Sequence, residues 1–180
     1  MAAVIITGTP GTGKTTVSKI VSKTLNTPLI ALNELIIDKH LYNGHDDEKG
    51  YKIVDMEALS SEINLILDST DKQLIIEGHL AHDLGVDEKV DTVIVLRARP
   101  SVLRDRLKKR EWPDSKIQEN VEAEALDLCT FESVETHGDK VHEVDTSDLD
   151  VDDVSEIIIQ ILNGNKQLPP GKINYLEELF

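Results

Sequence analysis

With 180 residues, 39% hydrophobic but only 3% aromatic, the chain can bury a core of Ile, Leu and Val and is too apolar for the disordered class. Its 19 basic against 34 acidic residues leave a net charge of −15, which argues against strong binding to duplex nucleic acid. A lone cysteine, Cys129, excludes an intramolecular disulfide; no basic residue precedes the first apolar run and no run reaches membrane-spanning length, so a cytoplasmic protein without a membrane partner is expected.

Val4-Ile5-Ile6 predicts a buried strand, and Val17, Ile20, Val21 and Leu25 fall at helical spacing after it. Pro28–Leu32 predicts a second strand, with Asn33 as cap of a helix through Ile37. The polar stretch 39–52, with Gly44, Gly50 and Asp46-Asp47-Glu48, predicts a loop or mobile flap. Asp55 is placed to cap a helix running to Leu67, followed by strands at Gln73–Glu77 and Val90–Leu96. Pro100 opens a helix to about Lys109, Trp112-Pro113-Asp114 breaks it, and one further helix is expected over Ile117–Cys129, with Cys129 in its apolar face. A fifth strand, Val141–Val144, precedes a helix at Val151–Leu162 that Gly164 stops. Beyond the Pro169-Pro170-Gly171 hinge, Ile173, Leu176, Leu179 and Phe180 form an apolar stripe expected to pack back on the domain. The alternation predicts an α/β fold, five parallel strands flanked by helices, in one domain over 1–180. Ligands of such sheets bind beyond the C-terminal strand ends, which places Gly8, Glu77, Arg97 and Asp145 around one crevice.

Gly8-Thr9-Pro10-Gly11-Thr12-Gly13-Lys14-Thr15 matches G-x-x-x-x-G-K-[ST]. Gly8, Gly11 and Gly13 let successive amides, that of Thr12 included, point inward, and the following helix presents its positive end to phosphates. Lys14 reaches the β- and γ-phosphates, Thr15 ligates Mg²⁺, and Thr16 adds a hydroxyl on the α-phosphate side; the implied ligand is ATP with Mg²⁺. No N-K-x-D base-reading motif of GTPases is present. Arg97, Arg99, Arg104, Arg106, Lys108, Lys109 and Arg110 crowd a short stretch of an acidic chain. Arg106 and Arg110 share a helix face beside the Trp112-Pro113 break, where a lid would hinge, and cationic donors there would stabilise a transferring phosphoryl group. Glu77 ends a buried strand, where a carboxylate can hold Mg²⁺ through water. His79 can orient a hydroxyl or a water.

These residues carry a resemblance. The P-loop through Thr16, Leu41-Tyr42-Asn43-Gly44, Glu77-Gly78-His79, Val95-Leu96-Arg97, Arg106-Leu107-Lys108-Lys109-Arg110 and Lys116–Glu124 resemble the adenylate kinase isoenzyme-six family of archaea and eukaryotes, the coilin-interacting nuclear ATPase type in animals. The resemblance implies a P-loop kinase fold with mobile segments that moves the ATP γ-phosphoryl to AMP or another nucleoside monophosphate, and that also hydrolyses ATP. It implies ATP contacts at Gly11, Gly13, Lys14, Thr15, Thr16 and Arg110, a monophosphate-binding segment at about 31–54 and a lid at about 109–119; the residues themselves mark off a C-terminal tail at 165–180 within the one domain. It further implies contact with ribosomal protein uS11 and the small-subunit precursor, in 16S rRNA maturation. The chain departs from the family twice: Glu77 stands where an aspartate is usual, and Asp145-Thr146-Ser147-Asp148 supplies no lysine after the last strand. An ATPase switch in ribosome assembly and a small-metabolite kinase are the rival readings.

Overall fold

The computed structural model describes residues 3–46 and 51–179; the Asp47-Glu48 and Gly50 part of the expected flap, the first two residues and Phe180 lie outside the described residues. Five strands, β1 (Ala3–Thr7), β2 (Leu29–Ala31), β5 (Leu74–Glu77), β6 (Val90–Arg97) and β7 (Val141–Asp145), form one parallel sheet in the order β2-β5-β1-β6-β7. Alternate residues of β1 feed opposite faces. Val4 and Ile6 join Val17 and Val21 of α1 (Lys14–Leu25) and Val154, Ile158 and Ile161 of α7 (Val151–Leu162). Ala3 and Ile5 join Leu32 and Ile36 of α2 (Leu32–Asp38) and Leu59 and Ile63 of α3 (Met56–Asp68). Both faces are covered, which is why the inner strands read as continuous apolar runs.

Because every strand points the same way, their C-terminal ends meet along one rim. The register pairs Ile6 with Glu77, Thr7 with Val95 and Arg97 with Asp145. A third, smaller cluster of Ala98, Leu103, Leu107, Ile117 and Val121 joins α4 (Pro100–Lys108) to α5 (Asp114–Ala125) beside that rim. No helix among the described residues is long and apolar enough to cross a membrane.

Four local expectations are corrected. The described part of the 39–52 stretch carries strand: β3 (Tyr42–Asp46) and β4 (Tyr51–Val54) pair as an antiparallel ribbon. Tyr42, Tyr51, Ile53 and Val54 are good strand formers, and Lys52 sets its ammonium 4.0 Å from the Tyr42 ring centroid. Asn33 caps nothing, since α2 starts one residue before it, with Ala31 at the cap position. The helix expected over 117–129 is two. α5 ends at Ala125, Asp127 takes a left-handed φ of 55°, and α6 (Leu128–His137) follows. Asp tolerates that conformation, and its carboxylate there bonds the Arg97 guanidinium. α6 carries no helical signal in the sequence because Leu128, Phe131 and Val134 stay exposed, so its apolar residues trace no buried stripe. In the tail, Tyr175 is the buried residue while Leu176 is exposed. The caps expected at Asp55 and Gly164 stand: the Asp55 carboxylate accepts from the Ala58 amide at 2.9 Å, and Gly164 takes φ 73° beyond α7.

Candidate active site

β1 ends in the P-loop at the centre of the rim. Gly8, Gly11 and Gly13 take φ of 137°, 98° and 101°, a region costly for any side chain. At Gly8 the need is also one of space, because a Cβ would stand 2.3 Å from the Leu96 carbonyl oxygen. A Cβ at Gly11 would meet Leu103 at 2.7 Å, so the loop lies directly on α4. Inside the loop the Thr9 carbonyl accepts from the Thr12 amide at 3.3 Å, from the Thr12 hydroxyl at 2.9 Å and from Lys14 Nζ at 3.1 Å. Lys14 Nζ also donates to the Gly8 carbonyl at 2.8 Å. Burial, partly countered by Cys129, Glu77 and Glu124, lowers the Lys14 pKa to about 8.

β5 is hydrogen-bonded to β1, and its last residue turns toward the helix that follows the P-loop. Glu77, buried, accepts from the Thr15 hydroxyl at 3.1 Å. Burial raises the Glu77 pKa above its ordinary 4.5, with Thr15 and Lys14 pulling the other way. A hydroxyl and one carboxylate side by side form a hard-oxygen donor set of the kind that holds a hydrated Mg²⁺ with phosphate oxygens. A dedicated protein cage is absent, since no cluster of three or more His, Cys, Asp or Glu among the described residues suits a metal. The residues present therefore fit Mg²⁺ carried in with a phosphate ligand. Thr16 is exposed next to Thr15.

His79 keeps contact with solvent. Crowding by surrounding protein, and then the charges of Lys14, His82 and Lys116, lower its pKa to about 4, so it is neutral near pH 7. His82 is a packed residue: Nδ1 lies 2.9 Å from the Thr7 hydroxyl and Nε2 lies 3.0 Å from Glu132.

The basic stretch divides into different environments. Arg106, half-buried on α4, donates to the Thr146 hydroxyl at 3.0 Å and the Thr146 carbonyl at 2.7 Å. It is thus pinned to the loop after β7, and Thr146 Oγ1 in turn lies 3.2 Å from the Thr12 carbonyl. Burial lowers the Arg106 pKa, as does Arg110, against a contribution from Asp145. Arg110 lies just past α4, and Glu111 takes φ 56° before the Trp112-Pro113 break. The Arg110 side chain is exposed and makes no hydrogen bond or ion pair among the described residues, yet it is near enough to lower the Lys14 pKa. Arg104 pairs with Gln118 and Arg99 with Asp148.

Arg97 corrects the sequence reading. Placed there on the rim of the ligand crevice, it is 1% exposed and faces the interior. Its guanidinium donates to Glu124 at 2.7 Å, to Glu143 at 2.6 Å, to Thr130 at 3.2 Å and to Asp127. Burial works against its charge, but the Glu124 and Asp127 carboxylates outweigh this and raise its pKa. Glu124 and Thr146 are the site residues that sequence reasoning missed. Glu124 had left a signal, a carboxylate inside the buried stripe Ile117-Val121-Glu124-Ala125 of α5.

The fold is that of solved P-loop kinases. Shikimate kinase from Acinetobacter baumannii, in complex with shikimate, superimposes with a TM-score of 0.64 at 15% identity, over 92% of this chain and 95% of that one. A parallel sheet of this order, a P-loop after its central strand and a carboxylate at the end of the neighbouring strand define the class, a P-loop kinase fold. Residues 4–127 match the family model described as an AAA domain. A protein of Methanothermobacter thermautotrophicus named "Putative adenylate kinase" is 43% identical over 96% of both chains. One of the same name from Methanosarcina acetivorans is 37% identical over 97% of both. The chain belongs to this archaeal family.

Proposed function

We propose that the protein is an adenylate kinase-type phosphotransferase that moves the ATP γ-phosphoryl to AMP or another nucleoside monophosphate. The observation that carries the reading is the Thr15–Glu77 contact at the head of the P-loop, 3.1 Å, a ready donor pair for the metal of a nucleoside triphosphate. The kinship, over 96% of both chains, with a protein named "Putative adenylate kinase" supports a monophosphate acceptor. The likeness to shikimate kinase, at 15% identity, supports only the fold.

On this reading the P-loop amides and Lys14 hold the β- and γ-phosphates. Thr15, and Glu77 through water, would hold Mg²⁺, which would supply positive charge against the phosphates. Arg106 frames the nucleotide beside Thr146. Arg110, within electrostatic reach of Lys14, swings with the 109–119 lid to meet the charge that develops on the transferring group. The acceptor lies between the 31–54 arm and Glu77-Gly78-His79, where neutral His79 orients it, and transfer is in line without a covalent intermediate. With no acceptor present, water takes its place and ATP is hydrolysed. The acidic surface, net −15, suits contact with a basic protein partner; contact with ribosomal protein uS11 and the small-subunit precursor in 16S rRNA maturation enters the reading only through the family resemblance.

The test is ADP formation from ATP-Mg²⁺ with and without AMP, for the wild type, Lys14→Ala and His79→Ala. AMP should raise turnover by about tenfold or more, and Lys14→Ala should remove it. Lys14-dependent hydrolysis that ignores AMP but rises with uS11 would put an ATPase assembly switch in the kinase's place.

A further inference from the structure

Beneath the P-loop lies a buried polar cluster with no part in the chemistry of the crevice. Glu124, 1% exposed, sits near the end of α5 and uses both oxygens. Oε1 accepts from Arg97 Nε at 2.7 Å and from the Ala98 amide at 3.0 Å. Oε2 accepts from the Thr9 hydroxyl at 2.5 Å. A carboxylate this deep is tolerated only when paired and fully hydrogen-bonded. Arg97 supplies the charge, and Thr9 completes the oxygen that faces the P-loop. Arg97 is itself held by Glu143, whose other oxygen accepts from the Gly171 amide of the tail at 2.8 Å.

Thr9 is the residue whose carbonyl gathers the Thr12 amide, the Thr12 hydroxyl and Lys14 Nζ. Whatever fixes Thr9 therefore fixes where those P-loop groups stand. We propose that Glu124 is a positioning residue for ATP: through the Thr9 hydroxyl it clamps the front of the P-loop from α5. The proposal rests on the reading that this loop binds ATP. The same helix begins at Asp114, inside the proposed lid stretch.

The test uses the full chain. ATP-Mg²⁺ affinity is measured by calorimetry, KM for ATP and for AMP by turnover, and folding by thermal unfolding, for the wild type, Thr9→Val, Thr9→Ser and Lys14→Ala. Thr9→Val keeps the shape and removes the donor; it should weaken ATP binding by about tenfold or more while the AMP KM moves by less than about twofold. Thr9→Ser, which keeps the hydroxyl, should recover most of the loss. Adding Glu124→Gln to Thr9→Val should cost little further ATP affinity, because the interaction is already gone. If Thr9→Val does not fold, Thr9→Ala takes its place with the same outcomes. ATP affinity within about twofold of wild type in the donor-less variant, while Lys14→Ala abolishes binding, would overturn the clamp and leave the kinase reading standing. Equal rises in the ATP and AMP KM would overturn it too, as general loosening. A wild type that does not bind ATP would overturn both.

Discussion

The foundation under the rim and the rim itself hold the same kinds of residue in opposite states. In the foundation, Arg97 is enclosed by three carboxylates and spends every donor within the protein. On the rim, Arg110 lies in solvent with no hydrogen bond or ion pair among the described residues. An arginine whose donors are all satisfied holds the protein together and has nothing left for a ligand. An arginine left open has nothing to hold and is available to charge that arrives. Buried groups of the foundation should govern stability, and groups at the rim should govern turnover with little effect on folding.

The largest effect that can break this division is Arg97→Met. Removing the one cation leaves Glu124, Glu143 and Asp127 facing each other, and breaking such a buried pair costs roughly 3–5 kcal/mol. Denaturant unfolding should show that loss, with ATP-Mg²⁺ recovering part of it by binding the native state. A stability loss below about 1 kcal/mol would deny Arg97 its foundation role. Arg110→Ala is the mirror case. On the proposed mechanism it lowers kcat by roughly 10²–10³, in line with the loss of one donor to the developing charge. Its unfolding free energy should stay within about 0.5 kcal/mol of wild type. Equal turnover in the variant and the wild type would remove Arg110 from the chemistry.

Glu77 sharpens the comparison because it is a buried group at the rim. Burial raises its folded pKa above 4.5, so ionised Glu77 counts against the fold. The stability it contributes as a neutral acid is complete below the ordinary carboxylate pKa and is lost as pH rises through the raised value. Glu77→Gln should therefore unfold at a higher temperature than wild type at neutral pH, with the difference closing below pH 4.5. The same variant should lose roughly tenfold or more in turnover and need more Mg²⁺. Thermal scans across pH, beside a magnesium titration of activity, read both signs. A Glu77→Gln protein less stable than wild type at neutral pH would make Glu77 part of the foundation.

The sequence showed the rim more clearly than what supports it. The P-loop was legible because each glycine answers a local demand of backbone or space, and local demands are written in neighbouring residues. The strands were legible because burial on both faces leaves unbroken apolar runs. Arg97 was misjudged for the opposite reason. Its three carboxylates come from α5, from the residue between α5 and α6, and from β7, and no local spacing announces that they converge. α6 was missed because its apolar residues face solvent, and the β3–β4 ribbon because polar and glycine residues outweighed the strand formers around them. A charged residue after a strand thus reads the same whether it turns outward to a ligand or inward to a cluster, and only the packed chain separates the two.

The smallest effect concerns Lys14, which belongs to both regions: its ammonium is buried like the foundation yet must meet phosphates at the rim. Burial lowers its pKa to about 8, because the charged form is poorly solvated where it sits. As pH rises through that value the free protein loses the cation that the proposed phosphate site requires. ATP capture, read as kcat/KM for ATP, should fall by about tenfold from pH 7 to pH 9, while holding level from pH 6 to 7. Bound phosphates supply the opposite charge and raise the Lys14 pKa again, so kcat at saturating ATP should stay flat over the same range. The two profiles separate because one reports the free protein and the other the complex. A flat kcat/KM profile would mean that the carbonyls of Gly8 and Thr9, at 2.8 and 3.1 Å, keep Lys14 charged despite its burial, and that the foundation sets its state more strongly than the crevice does.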